Sequence, residues 1–343
     1  MARAFSGREY TCIFGIADNN AGSQAGAVGA ATQDENAVSG SKVLLRVDAP
    51  MNDIDFSAGY NRAEIARAGS TALRHQDVVN HYGSGMWTWD FDYLVDNEKA
   101  IQNMLELMHP EHSSTIGTSM VYPANPTPSA YGHLDDADKN KCGFIILQNP
   151  DTDQDRYMHS AILQNLDFSM DAGTDGGRLR ASGQFMSGYK PIIESNSETF
   201  DTNQNKSDYA KGLFDCTTTS FGGSSVTVRS FSLSISNPAN RIGFQGSSGE
   251  TDGYVRGGTF GITGSITMKI DDTTNAFLVS KWQTNTNVAI QVGNGSTIDF
   301  SIPEANISGW NMDMADEGVF VEVPFTATSG TDAGANLAVI KLT

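Results

Sequence analysis

Trp87, Trp89, Phe91, Tyr93 and Val95 fall at every second position of one short segment, with Thr88, Asp90 and Asp92 between them. Successive side chains of a strand point to opposite faces, so this segment presents an aromatic stripe on one side and carboxylates on the other. At Asp96 the period changes. Ala100, Ile101, Met104, Leu105 and Met108 recur at helical spacing as far as His109-Pro110, with Asp96 suited to the N-cap and Glu98 to the first turn. The pattern predicts a half-buried strand that runs into an amphipathic helix of about three turns. Facing that helix, the aromatic stripe belongs in a core rather than on the surface as a sugar platform.

The same switch occurs again. TWDFDYLVD (88–96) aligns with TGSITMKID (263–271) without a gap, so that Thr88 meets Thr263, Phe91 meets Ile266, Tyr93 meets Met268, Val95 meets Ile270 and Asp96 meets Asp271. Asp271 is a second expected cap, ahead of a helix over 272–282. Alternating segments precede both switches, Ile54–Tyr60 and Ser230–Ser236, and further strands follow both, ending in 310–314 and 319–325. The order predicts a mainly β chain with two tandem modules, each a β-sandwich or partial barrel with one flanking helix. Residues 1–47 read as a strand (Tyr10–Ile16) and a flexible arm, 48–190 as the first module, 191–228 as a linker or projecting loop, and 229–343 as the second module. Asn61–Ala72 reads as a short helix.

The 35 glycines and the polar runs between short apolar segments agree with many turns and short strands. Net charge is −18, from 22 basic and 40 acidic residues, which repels nucleic acid and anionic membranes. Three dispersed cysteines make no disulfide framework and point to a reducing compartment. The first residues lack the apolar run of a secretory signal, and no stretch is long and apolar enough for a transmembrane helix. The expected place of synthesis is a cytoplasm.

Catalytic and metal chemistry find no pattern to rest on. Asp151-Thr152-Asp153-Gln154-Asp155 opens like a calcium loop, but Arg156 stands where glycine is needed and Ile162 where glutamate is needed. The run Asp136–Asn140 fails likewise at Lys141. The histidines form no HExxH pair, and the glycine-rich stretch 257–261 lacks a P-loop lysine. The reading is a non-enzyme with no cofactor and no metal.

Four segments carry a resemblance: WTWDFDYLVDNEKAIQNMLELM (87–108), RYMHSAILQNLDFSMDAGTDGGRLRASGQFMSG (156–188), GGTFGITGSITMKIDD (257–272) and WNMDMADEGVFVEVPFTA (310–327). In order and pattern they resemble the phage tail tube proteins, in the larger family whose chains exceed 300 residues. The resemblance implies a structural protein of the virion tail, made in the bacterial host cytoplasm, whose rings stack into a tube through which DNA is ejected. It implies a trimer with pseudo-sixfold symmetry, or otherwise a hexamer, with tail terminator, distal tail and tape-measure proteins as further partners. DNA would pass through the lumen without tight binding, and no membrane is involved. Under this reading the polar members of the alternating strands face the lumen: Asp55, Ser57, Asp90, Asp92, Ser232, Ser234 and Thr267. Lys269 departs from that acidic set and is expected near a rim. The alternatives are a carbohydrate-binding or fibre-like β-sandwich, and a β-rich hydrolase with dispersed acids.

Overall fold

In the computed structural model, Trp87–Leu94 is a strand whose Trp87, Trp89, Phe91 and Tyr93 are each 2% exposed or less, while Asp90 on the opposite face is exposed. The structure describes residues 10–18, 45–46, 60–64, 78–82, 87–96, 98–109, 119–123, 141–148, 155–194, 211–242, 253–315, 318–329 and 336–342.

The elements of the first half are β1 (Thr11–Asp18), β2 (Leu45–Arg46), β3 (Tyr60–Glu64), β4 (Val78–Tyr82), β5 (Trp87–Leu94) and α1 (Glu98–Leu107). After α1 come β6 (Met120–Pro123), β7 (Lys141–Gln148), β8 (Asp155–Asp171), β9 (Arg180–Ser187) and β10 (Ile192–Glu194). The second half begins with β11 (Ser220–Phe221), β12 (Ser224–Ser225), β13 (Val228–Ser236), β14 (Ala239–Ile242), β15 (Gly253–Arg256) and β16 (Gly261–Lys269). It ends with α2 (Asp272–Thr284), β17 (Val288–Gly293), β18 (Ile298–Ile307), β19 (Asn311–Ala315), β20 (Gly318–Ala327) and β21 (Asn336–Leu342). The chain is mainly β, as its alternation implies.

Seventeen of these strands hydrogen-bond into one antiparallel network, and β3–β4 and β14–β15 form separate hairpins. In the first half β1 pairs with β2 and β7, β7 with β8, β8 with β9 and β10, and β9 with β5. In the second half β11 pairs with β12 and β17, β17 with β18, β18 with β20 and β21, and β20 with β16. The two lists have one form. A hairpin also precedes each strand that leads into a helix, β3–β4 before β5 and β14–β15 before β16. The halves are joined where β13 pairs with β8 and where β21 pairs with β6.

Two layers enclose the core. The layer β5–β9–β8–β13–β16–β20 turns its apolar residues toward strands of the other layer. Phe14 of β1 packs on Phe185 of β9 with ring centroids 5.3 Å apart, and Phe300 of β18 packs on Phe168 of β8 at 5.5 Å and on Phe231 of β13 at 5.3 Å. Each such pair contributes about 0.5–1.5 kcal/mol beyond the area it buries. β8 belongs to both layers. Its N-terminal part pairs with β7 and β10, its C-terminal part with β9 and β13, and a register shift between Leu163 and Asn165 marks the bend. The extra residue, Gln164, anchors the second half: its side chain donates to Ala239 O at 2.6 Å, and its carbonyl accepts from Asn237 N at 2.9 Å.

Three expectations meet a different structure. Tyr60–Glu64, at the start of the expected helix over Asn61–Ala72, is strand β3, because its backbone groups pair with Val78–Tyr82; residues 65–72 lie outside the described residues. Helix α1 is not amphipathic in its setting, since Gln102, Asn103 and Glu106 are buried with the apolar face. Gln102 Nε2 donates to Leu342 O at 2.6 Å, so its polar face is taken up by the second half. The expected linker 191–228 contains β10, β11 and β12, with Leu213 and Phe221 buried. Phe221 is isolated among serines, threonines and glycines, and β11 and β12 are two residues each, which hides them from a periodicity search. The expected arm after β1 falls largely outside the described residues.

Candidate functional site

The face of the main layer opposite the core is polar, and strand register aligns it in rows. One row crosses β5, β9, β8, β13, β16, β20 and β18 as Asp92, Ser182, Asp167, Ser234, Thr263, Thr326 and Asn306. Beside it run Arg180, Ser169, Ser232, Ser265 and Pro324, and on the other side Asp90, Gln184, Asn165 and Ser236. A further row holds Asp171, Ser230, Thr267, Glu322 and Asn311. Rows form because cross-strand partners share a face and the antiparallel register is kept through as many as seven strands. Ser232, Ser234, Ser265, Thr263, Asp167 and Ser169 are among the residues lining an open trough of about 600 Å3 on this face.

Much of the polarity is satisfied within the face. Ser232 Oγ and Ser265 Oγ are 3.0 Å apart across β13 and β16. Gln184 Nε2 donates to Asp90 Oδ1 at 2.7 Å, and Asn165 Nδ2 donates to Asp167 Oδ2 at 3.1 Å. Two arginines on the face are engaged as well. Arg180 donates through Nε and Nη2 to the two Asp92 oxygens at 2.6 and 3.1 Å, and through Nη1 to Asp175 Oδ2 at 2.9 Å. The hydrogen bonds that it donates to Asp92 raise the Arg180 pKa further above its ordinary value. Arg229 Nη1 lies 3.5 Å from Asp313 Oδ2, with its guanidinium 5.1 Å from the Phe320 ring centre. The face offers hydroxyls, amides and carboxylates, with both arginines held by aspartates.

Of the residues singled out in the sequence, Asp90, Asp92, Ser232, Ser234 and Thr267 share this face. Asp55 and Ser57 lie outside the described residues, as do 136–140 and 151–154. Lys269 occupies the row beyond Thr267, opposite Phe320. Asp271 caps α2 by accepting from Thr274 N at 2.8 Å, and Asp96 is half-buried two residues ahead of α1. Asp167, Ser169, Ser182, Thr263 and Ser265 complete the face and were not singled out. The signal was present in Leu166-Asp167-Phe168-Ser169-Met170, which alternates as clearly as β5 does. The stripe Trp87, Trp89, Phe91 and Tyr93 is enclosed in the core, so it offers no platform to a sugar.

Among the described residues, no three acidic, histidine or cysteine side chains converge as a metal site, and no helix is long and apolar enough to cross a membrane. Cys12 and Cys216 are free thiols. Burial pushes the pKa of each up to about 12, Asp215 and Asp299 adding to the effect at Cys216. Neither is an activated nucleophile.

The sequence profile of the phage tail tube proteins matches residues 113–327, well over half of the chain. The chain belongs to the phage tail tube protein family. No curated protein matches the chain. The matched span runs from before β6 to the end of β20, so it takes in the β8–β13 pairing between the halves and most of the polar face, while β5 and β21 lie outside it. A tail tube protein is a structural protein of the virion tail, built by self-assembly.

Proposed function

We propose that copies of this chain close into rings that stack as the tail tube, with the polar face of the main layer lining the channel through which DNA is ejected. The observation that carries this reading is the polar face itself: rows of hydroxyls, amides and carboxylates on one side of six hydrogen-bonded strands, with the core on the other side. A hydroxyl exchanges bonds with a passing phosphate much as water does. A carboxylate repels it. Two of the groups that would displace counterions and hold DNA, Arg180 and Arg229, are already paired with Asp92 and Asp313. Each copy added to a ring also adds a net charge of −18.

The repeated pairing scheme supports a ring of three chains. Its recurrence supports two copies of one module in the chain, joined through β8 and β13, so three chains would supply a six-module wall. Tail terminator, distal tail and tape-measure proteins are the further partners this assembly calls for. Joining modules edge to edge also removes exposed strand edges, which otherwise promote uncontrolled aggregation.

The test is to place cations on the face without touching the Arg180–Asp92 and Arg229–Asp313 pairs. Asp90→Lys with Asp167→Lys leaves Arg180–Asp92 intact and should give assembled tails that eject DNA more slowly, with the defect relieved by salt. Normal ejection rates from tails carrying both substitutions would refute the channel-lining assignment.

A further inference from the structure

The first half buries its last strand edge by means of the second half. Phe168 and Met170 of β8 are each 1% exposed, and β13 lies over that edge with Leu233 opposite Phe168 and Phe231 opposite Met170. The second half has an edge of the same kind. Met312 of β19 pairs with Val321, which itself pairs with Met268; in the first half Phe168 pairs with Ala181, which itself pairs with Tyr93. Val319, opposite Met314, accepts a hydrogen bond from Ile270 N at 3.1 Å, as Leu179 accepts one from Val95 N at 2.9 Å. Met312 and Met314 therefore stand where Phe168 and Met170 stand. They are 43% and 78% exposed, and among the described residues β19 pairs with β20 alone.

The helices repeat the contrast. Residues 100–107 of helix α1 are all buried, and the second half supplies two contacts there: Leu342 O accepts from Gln102, and Asn237 Nδ2 donates to Met108 O at 3.1 Å. Helix α2, at the same place in the order of elements, has Leu278 alone fully buried among its described residues, and its Trp282 is 53% exposed. Trp282 meets Trp310, which directly precedes β19, with ring centroids 5.9 Å apart. The exposed parts of β19 and α2 are thus one continuous apolar patch. A patch of large apolar side chains beside an unpaired strand edge marks an interaction surface.

We propose that this patch seats the first half of a second copy of the chain, in the way that the second half sits against the first within one chain. The internal joint supplies the geometry and identifies the occupant. The contact is head-to-tail, so repeating it closes a ring when the rotation from copy to copy closes, and gives a filament when it does not. This assignment rests on the ring-forming reading above and adds the surface that closes the ring.

A photo-crosslinking side chain at position 314 of the full-length protein tests it, with electron microscopy of the same sample. Chain-to-chain products mapping to residues of the first half, in a sample that forms rings, are the expected result. Rings without such products would overturn this assignment and leave the tube reading standing. Products without rings would support the joint and count against the tube. Neither rings nor products would overturn both. Met312→Asp with Met314→Asp should weaken chain–chain association at least about tenfold, since two apolar side chains lose their burial. Both residues are exposed in the single chain, so its circular dichroism and melting temperature should stay as they are. Unchanged association would refute the assignment.

Discussion

Gly264 sits where β13, β16 and β20 meet, and replacing it by alanine tests how tightly the main layer is packed. Its position pairs with Phe325 of β20 and Leu233 of β13. An added Cβ would lie 2.6 Å from Phe325 Cζ and closer still to the Ser232 carbonyl oxygen. Neither neighbour can withdraw easily. The Phe325 ring is 3% exposed and stacks on Phe231 with an interplanar angle of 19°, and Ser232 belongs to a strand paired on both sides. Overpacking of this kind costs about 1–3 kcal/mol. Alanine recovers about 0.4–1 kcal/mol by restricting the unfolded chain. Gly261, three residues earlier in the same strand, has nothing within 4 Å of a built Cβ, so it shows the second effect alone. Gly264→Ala should therefore be less stable than Gly261→Ala by about 2 kcal/mol in urea denaturation at matched protein concentration. Equal midpoints for the two variants would refute the packing argument. Gly183, whose Cβ would lie 2.9 Å from Phe91 Cζ, should behave as Gly264 does.

Two further outcomes follow from buried and capping groups. His159 is packed between Tyr157 and Tyr189, and burial lowers its pKa from 6.5 to about 4, partly opposed by a backbone hydrogen bond with Lys190. The unfolded imidazole takes up its proton before the folded one, so this contribution is complete above pH 6.5 and is lost as pH falls toward 4. The loss should reach about 3 kcal/mol, and denaturation curves of His159→Gln across that range should be flatter than those of the parent; an unchanged slope would remove His159 as the cause. Asp271→Ala, which removes the cap on Thr274 N, should cost about 1 kcal/mol in the same assay, and a loss below a few tenths would mean the cap is not holding α2.

How much of this was legible depended on how far each residue's environment is set by its near neighbours. The strand at 87–94, the change of period at Asp96, the cap at Asp271 and the alternation of β13 and β16 are local patterns, and the structure has them at those positions. The polar face is legible for the same reason, because an apolar stripe on one side of a strand fixes what lies on the other. What the sequence hid is long-range. Nothing local in Gln102, Asn103 and Glu106 foretells burial, since the groups that cover α1 include Leu342 at the far end of the chain. The bend of β8 is likewise set by its partners, β7 and β10 on one part and β9 and β13 on the other. The helix expected over Asn61–Ala72 failed at its start because pairing with β4 outweighs local preference.

Cryo-electron microscopy of assembled particles tests the central claim most directly, because it places each face of the main layer relative to the axis. The expected reconstruction is a stack of rings of three chains each, with Ser232, Ser234 and Asp167 facing the lumen and Trp89 and Phe91 within the wall. Rings whose polar face points outward, or a central hole lined by other strands, would contradict it.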